Sequence, residues 1–160
     1  MLTLSVLPLL LLARGCVKDS DEVSDPEQDP FEVHYTKDDV VTKEMAIENW
    51  EMFLKQSQEL IDITETNIAS LEVKIQEADE PEKATLQQTS NAANLALLKL
   101  KAARAKRNKS FSSELAHYDA DDPSVQQQNE AFKTQFRRDM YDLNMELESA
   151  LERSRSGLYK

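Results

Sequence analysis

Glycine is almost missing from this sequence. Gly15 and Gly157 are the only two, so residues 16–156 contain none. The five prolines, Pro8, Pro26, Pro30, Pro81 and Pro123, all lie outside the segments 39–78, 82–117 and 124–156. Strand-rich domains need turn residues about every 8–12 positions, and this chain cannot supply them. Aromatic residues make up 6% of the chain and charged residues 31%, a balance that suits long, solvated helices. There is one cysteine, Cys16, which excludes an internal disulfide and a cysteine-rich metal centre. Positive charge is also scarce. Nineteen Lys and Arg stand against 30 Asp and Glu, for a formal charge of −11. Nucleic-acid binding normally shows a basic footprint, so no nucleic-acid partner is expected.

The one long apolar run is Leu2–Ala13, LTLSVLPLLLLA. Its twelve residues fall short of the ~20 needed to span a bilayer and match the apolar region of a secretory signal. Gly15 and Cys16 follow, and polarity changes at once to Val17-Lys18-Asp19-Ser20-Asp21-Glu22. This arrangement resembles the lipobox of bacterial lipoproteins, although Arg14 stands where that family prefers a small uncharged residue. The resemblance implies cleavage before Cys16 and a diacylglycerol thioether on its sulfur, with palmitate-type chains holding the protein to a membrane. It further implies a cell-envelope location, on the periplasmic or surface face of the outer membrane. Two or more acyl chains suffice for stable anchoring. The acidic stretch 18–22 also resembles the surface-export signal of Bacteroidota lipoproteins.

Residues 17–39 carry nine acids against Lys18 and Lys37 and include Pro26 and Pro30. Such a stretch buries too little apolar surface to order itself. It reads as a flexible tether over 16–38, reaching about 25–30 Å on average. Phe31, Val33 and Tyr35 alternate as a short extended piece would.

Three helices are predicted, over 39–78, 82–117 and 124–156, each roughly 50–60 Å long at 1.5 Å per residue. The first starts near Asp38 or Thr42, both good caps. Its seam is Ile47, Trp50, Leu54, Ser57, Ile61, Thr64, Ile68, Leu71 and Ile75, with the alternating steps of four and three that specify knobs-into-holes packing. Phe53 and Leu60 widen the stripe, so more than one partner helix is expected. The second helix, entered at Pro81, presents Leu86, Ala93, Leu97, Leu100, Ala103 and Phe111. The third, capped by Asp122 or Ser124, presents Phe132, Phe136, Met140, Leu143, Leu147 and Leu151. The fold expected is all-α: a long antiparallel hairpin plus a third helix, a coiled-coil-like three-helix bundle over 39–156. The third helix could close on its own hairpin or on another chain's. The thin seam positions Ser57, Thr64, Ser90 and Arg104 leave room for a homo-oligomer.

Lys99, Lys101, Arg104, Lys106, Arg107 and Lys109 form the one cationic run. A turn centred near residue 80 sets them beside the first helix between about residues 51 and 61, where Glu51 and Glu59 stand. It also sets Arg107 near Trp50 for a cation–π contact. These six are the candidate contacts for a protein partner or for lipid headgroups. Asp119, Asp121, Asp122 and Glu130 have a calcium-loop spacing, but Ser124 stands where glycine is needed and Pro123 at a ligand position. His34 and His117 have no metal-site partner at helical spacing. No phosphate loop and no nucleophile–base pair stand out. Catalysis, metal and cofactor are therefore not expected.

The segment EAFKTQFRRDMYDLNMELESALE, residues 130–152, has an aromatic-led amphipathic pattern. It resembles the third helix of small stress-response coiled-coil proteins of Bacteroidota and cyanobacteria, which implies a helical body over 39–155 and no particular activity. The leading expectation is a lipid-anchored envelope protein that acts by binding an unidentified protein partner. Two other readings are a periplasmic holdase gripping unfolded clients, and a cytosolic stress-associated coiled coil that retains residues 1–16 and binds nucleic acid through 99–109.

Overall fold

The computed structural model describes residues 40–156. Cys16, the apolar run, the tether and His34 lie outside the described residues. Three long helices make up the body: α1, Lys43–Glu77; α2, Glu82–Glu114; and α3, Ser124–Ser156. A short 3-10 turn, Leu115–His117, extends α2. Each helix packs against the other two, so α3 closes on the hairpin of its own chain. The expected all-α three-helix bundle is the observed one.

Each helix starts where local chemistry allows. Thr42, in extended backbone, accepts from the Met45 N–H at 3.3 Å and caps α1. At the first turn Pro81 is itself the cap residue, and neither Asp79 nor Glu80 caps α2 with its side chain. The Asp79 carbonyl accepts from Lys83 N–H instead. Before α3 the Asp122 carboxylate accepts from Ser124 N–H at 2.9 Å. The Tyr118 hydroxyl donates to the Val41 carbonyl at 2.8 Å, tying the loop after α2 to the entrance of α1. Burial pushes the Tyr118 phenol above its ordinary pKa.

The core divides along its length. At the end where α1 begins, Trp50, Phe53, Phe111, Phe132 and Phe136 gather from all three helices. Their ring centroids lie 5.1–6.2 Å apart, and Phe53 meets Phe132 and Phe136 edge-on. Such pairs contribute about 0.5–1.5 kcal/mol each beyond area burial. The far end is aliphatic: Leu71, Ile75, Leu86, Leu147, Ala150 and Leu151.

Between these ends lie polar layers. Ser57, Thr64 and Ser90 are fully buried, and their hydroxyls are all bonded. Ser57 donates to the Leu54 carbonyl and accepts from Arg104 at 3.0 Å. Thr64 bonds the Leu60 carbonyl and exchanges with Asn144 of α3. Ser90 accepts from Asn94. The seam positions that looked thin are filled within the chain.

Three seam assignments change. Ala46 and Phe53 are buried where Ile47 and Leu54 are half-buried, because the aromatic cluster rotates the start of α1 toward α3. Ala103 is exposed, and the half-buried Arg104 takes its place facing α1. Removing a buried aromatic leaves a cavity that costs about 3–5 kcal/mol, whereas surface changes stay within about 0.5 kcal/mol. Urea denaturation should therefore separate Phe53→Ala from its exposed neighbour's variant, Met52→Ala, by at least 2 kcal/mol or so.

Candidate functional site

The cationic run lies on the C-terminal half of α2. Between Glu82 and Glu114 this helix has seven Lys and Arg and no carboxylate, in a chain of net charge −11. The register expected of the hairpin is the observed one: Trp50 meets Asn108 and Ser57 meets Arg104, both pairs centred close to residue 80.

The six cations do different things. Lys101 reaches Glu65 of α1 at 2.7 Å. Arg104 spends its guanidinium on Ser57 and on the Gln58 amide oxygen at 2.7 Å. Arg107 forms two parallel 2.9 Å bonds to Glu114, seven residues on in its own chain, and a third at 2.8 Å to Asn129 of α3. Lys99, Lys106 and Lys109 are exposed and form no ion pair among the described residues. Pairing with Glu51 and Glu59 is not what the structure shows. The α1 partners of the run are Glu65 and the neutral Ser57 and Gln58, which lie on the flank of α1 that faces α2.

Arg107 does not sit on Trp50, because the bidentate Glu114 carboxylate holds it. The cation over the Trp50 ring is Lys133 of α3, at 6.0 Å. Its residue is only 5% exposed, and it pairs with Glu130 one turn back at 2.8 Å. The indole N–H donates to Asn108 at 2.8 Å. Sequence reasoning passed over Lys133 and Asn129. The available signal was their heptad-compatible spacing to Phe136 and Met140, which puts both on the inward stripe of α3.

The acids of the second turn are engaged in turn geometry. Asp119 accepts from Asp121 N–H at 3.0 Å, Asp122 caps Ser124, and Glu130 is held by Lys133. Hydrogen bonds from Ser124 hold the Asp122 carboxyl below its ordinary pKa of 3.8. Among the described residues no group of three His, Cys, Asp or Glu side chains could hold a metal ion. His117 is exposed. An open surface groove of about 320 Å³ lies between α1 and α2, lined by residues that include Glu65, Ile68, Glu72, Leu98 and Lys101. It brings together no nucleophile and base. No described helix is long and apolar enough to cross a membrane.

No protein-family model matches the chain, and neither a curated relative nor a solved structure matches it.

Removing one partner of a buried ion pair strands the other, at a cost of about 3–5 kcal/mol, while replacing both can be nearly neutral. Lys133→Ala should thus be strongly destabilised in urea, and the Lys133→Met, Glu130→Gln double variant should recover most of the loss. Asp122 generates a pH prediction. Its folded pKa is lowered, so its contribution is present above the ordinary carboxylate range and is lost as pH falls through the lowered value. A carboxyl NMR titration should place the Asp122 midpoint below 3.8, and Asp122→Ala should flatten the acid limb of the stability profile.

Proposed function

We propose that the protein is a lipid-anchored cell-envelope protein that acts by protein–protein contact and not by catalysis. The observation that carries this reading is the order of residues 2–22: twelve apolar residues, Gly15, the only cysteine, then three acids within the next six positions. A thiol at that boundary is the nucleophile that lipidation needs. The helical body suits such a role. A slender bundle offers a long exposed surface and few of the deep, convergent pockets that bind small substrates. Residues 17–39, rich in repelling carboxylates, provide reach between anchor and body.

Intact mass spectrometry of the protein purified from a membrane fraction tests this. A chain beginning at Cys16 and carrying the mass of a diacylglycerol adduct is expected, with the adduct lost in Cys16→Ser. A full-length, unmodified chain would remove the anchor and bring forward the cytosolic coiled-coil reading.

A further inference from the structure

The outward face of α2 takes no part in the packing of the bundle. Leu95, Lys99, Ala102, Lys106 and Lys109 follow one another at steps of four, three, four and three, so they share one stripe. Leu98 lies beside them. All six are exposed, Leu95 at 53% and Leu98 at 64%. The three lysines have no carboxylate partner among the described residues, and the α1 carboxylate that meets the run, Glu65, is held by Lys101. A stripe with two large apolar residues, three free ammonium groups and no acid from residue 83 to 113 is unusual on so acidic a protein.

We propose that this stripe docks on an anionic phospholipid surface, laying the bundle along the membrane. Charge complementarity favours this occupant. An interfacial helix presents lysines to phosphate headgroups and lets apolar side chains enter the headgroup boundary. The nearest acids of α1 are Glu65 and Glu72, which line the groove that Leu98 also lines; Glu65 is paired with Lys101, and acids on the far side of the bundle are screened over ~10 Å at about 0.1 M salt. Each lysine near an anionic leaflet raises partitioning about fivefold, so three raise it about a hundredfold. That is weak alone. It suffices when an anchor already confines the body near the surface, because tethering replaces bulk concentration with a high local one. The lysines lie toward the correct end: Asn108 meets Trp50 near the start of α1, so they are close to where the chain leads back to Cys16. In this respect the inference rests on the anchored reading, but the face itself is testable without the lipid.

The test uses the full-length Cys16→Ser chain, flotation with 5 mM phosphatidylglycerol or phosphatidylcholine vesicles, and about 0.1 M salt. Binding to phosphatidylglycerol at least tenfold above phosphatidylcholine is expected. Lys99→Glu, Lys106→Glu, Lys109→Glu together should abolish it. Lys43→Glu, Lys55→Glu, Lys83→Glu, an equal charge change at other exposed lysines, should reduce it less than fivefold. Leu95→Gln, Leu98→Gln should weaken it without altering charge. Circular dichroism should show all variants equally helical. Equal losses in the two triple variants, or no preference for the anionic vesicles, would overturn the proposal. So would a salt-sensitive dimer, protection of the stripe by residues 17–39, or DNA binding in place of vesicle binding. A wild-type protein without the Cys16 adduct, together with intact vesicle binding by the Cys16→Ser chain, would defeat the anchor and leave this face standing.

Discussion

The bundle depends on where Trp50 is placed. It is the only tryptophan in the chain, it is almost wholly buried, and its ring touches side chains from all three helices. A buried indole brings one polar group that must find an acceptor. Here the acceptor is Asn108, 58 residues away on α2. Sliding α2 by one turn would keep aliphatic contacts but leave that N–H unpaired, at a cost of about 1–3 kcal/mol. On the other side, Phe132 and Lys133 of α3 flank the same ring. One side chain thus sets the register of α2 and α3 on α1, and the aliphatic far end follows.

The polar layers extend the same control along the bundle. A seam of leucine and isoleucine alone would be stickier and less specific, since such seams tolerate shifts by a heptad. The Thr64–Asn144 exchange, the Arg104–Ser57 bond and the Arg107–Glu114–Asn129 group each have one geometry that satisfies them. Each costs desolvation, and a half-satisfied network costs more than none. Their effect is to penalise wrong registers more than they stabilise the right one. They also explain how a chain with polar side chains at Ser57, Thr64 and Ser90 still closes on itself.

What was legible in the sequence was whatever repeats. The alternating steps of four and three located the seam of α1 from Trp50 to Ile75, and the prolines and acids marked both turns within a few residues. Single-position choices were not legible. Phe53 displaces Leu54 because aromatic partners arrive from α3, a fact absent from the α1 segment itself. The sequence places Arg107 at the Trp50 ring and does not point to Glu114, which holds it. A bidentate carboxylate seven residues away is not a helical neighbour by simple spacing, and only the packed geometry brings the two together. Lys133 was hidden for a related reason. A lysine on an inward stripe reads as a break in the pattern until its ammonium group is seen to have both a carboxylate and a ring. The α2 cations were visible as a run, but their division into bound and unbound members required knowing which side of the helix faces α1.

That division connects the fold to the proposed docking face. Lys101, Arg104 and Arg107 point inward or along the groove and are consumed by the bundle. Lys99, Lys106 and Lys109 are left on the far side of the same helix, where folding gives them no role. Self-pairing along α2 is unavailable to them, because residues 83–113 contain no acid. Uniformly placed cations on such a helix repel one another by a few tenths of a kcal/mol per neighbouring pair, a cost that an isolated helix would relieve by adding a glutamate. Keeping the stripe free of acid while the rest of the chain accumulates them makes the molecule electrically two-sided. On the anchored reading proposed above, a two-sided body on an acidic tether near an anionic surface would not tumble freely: the lysine face would be attracted, the acidic faces repelled, and the orientation of the helical surface thereby selected.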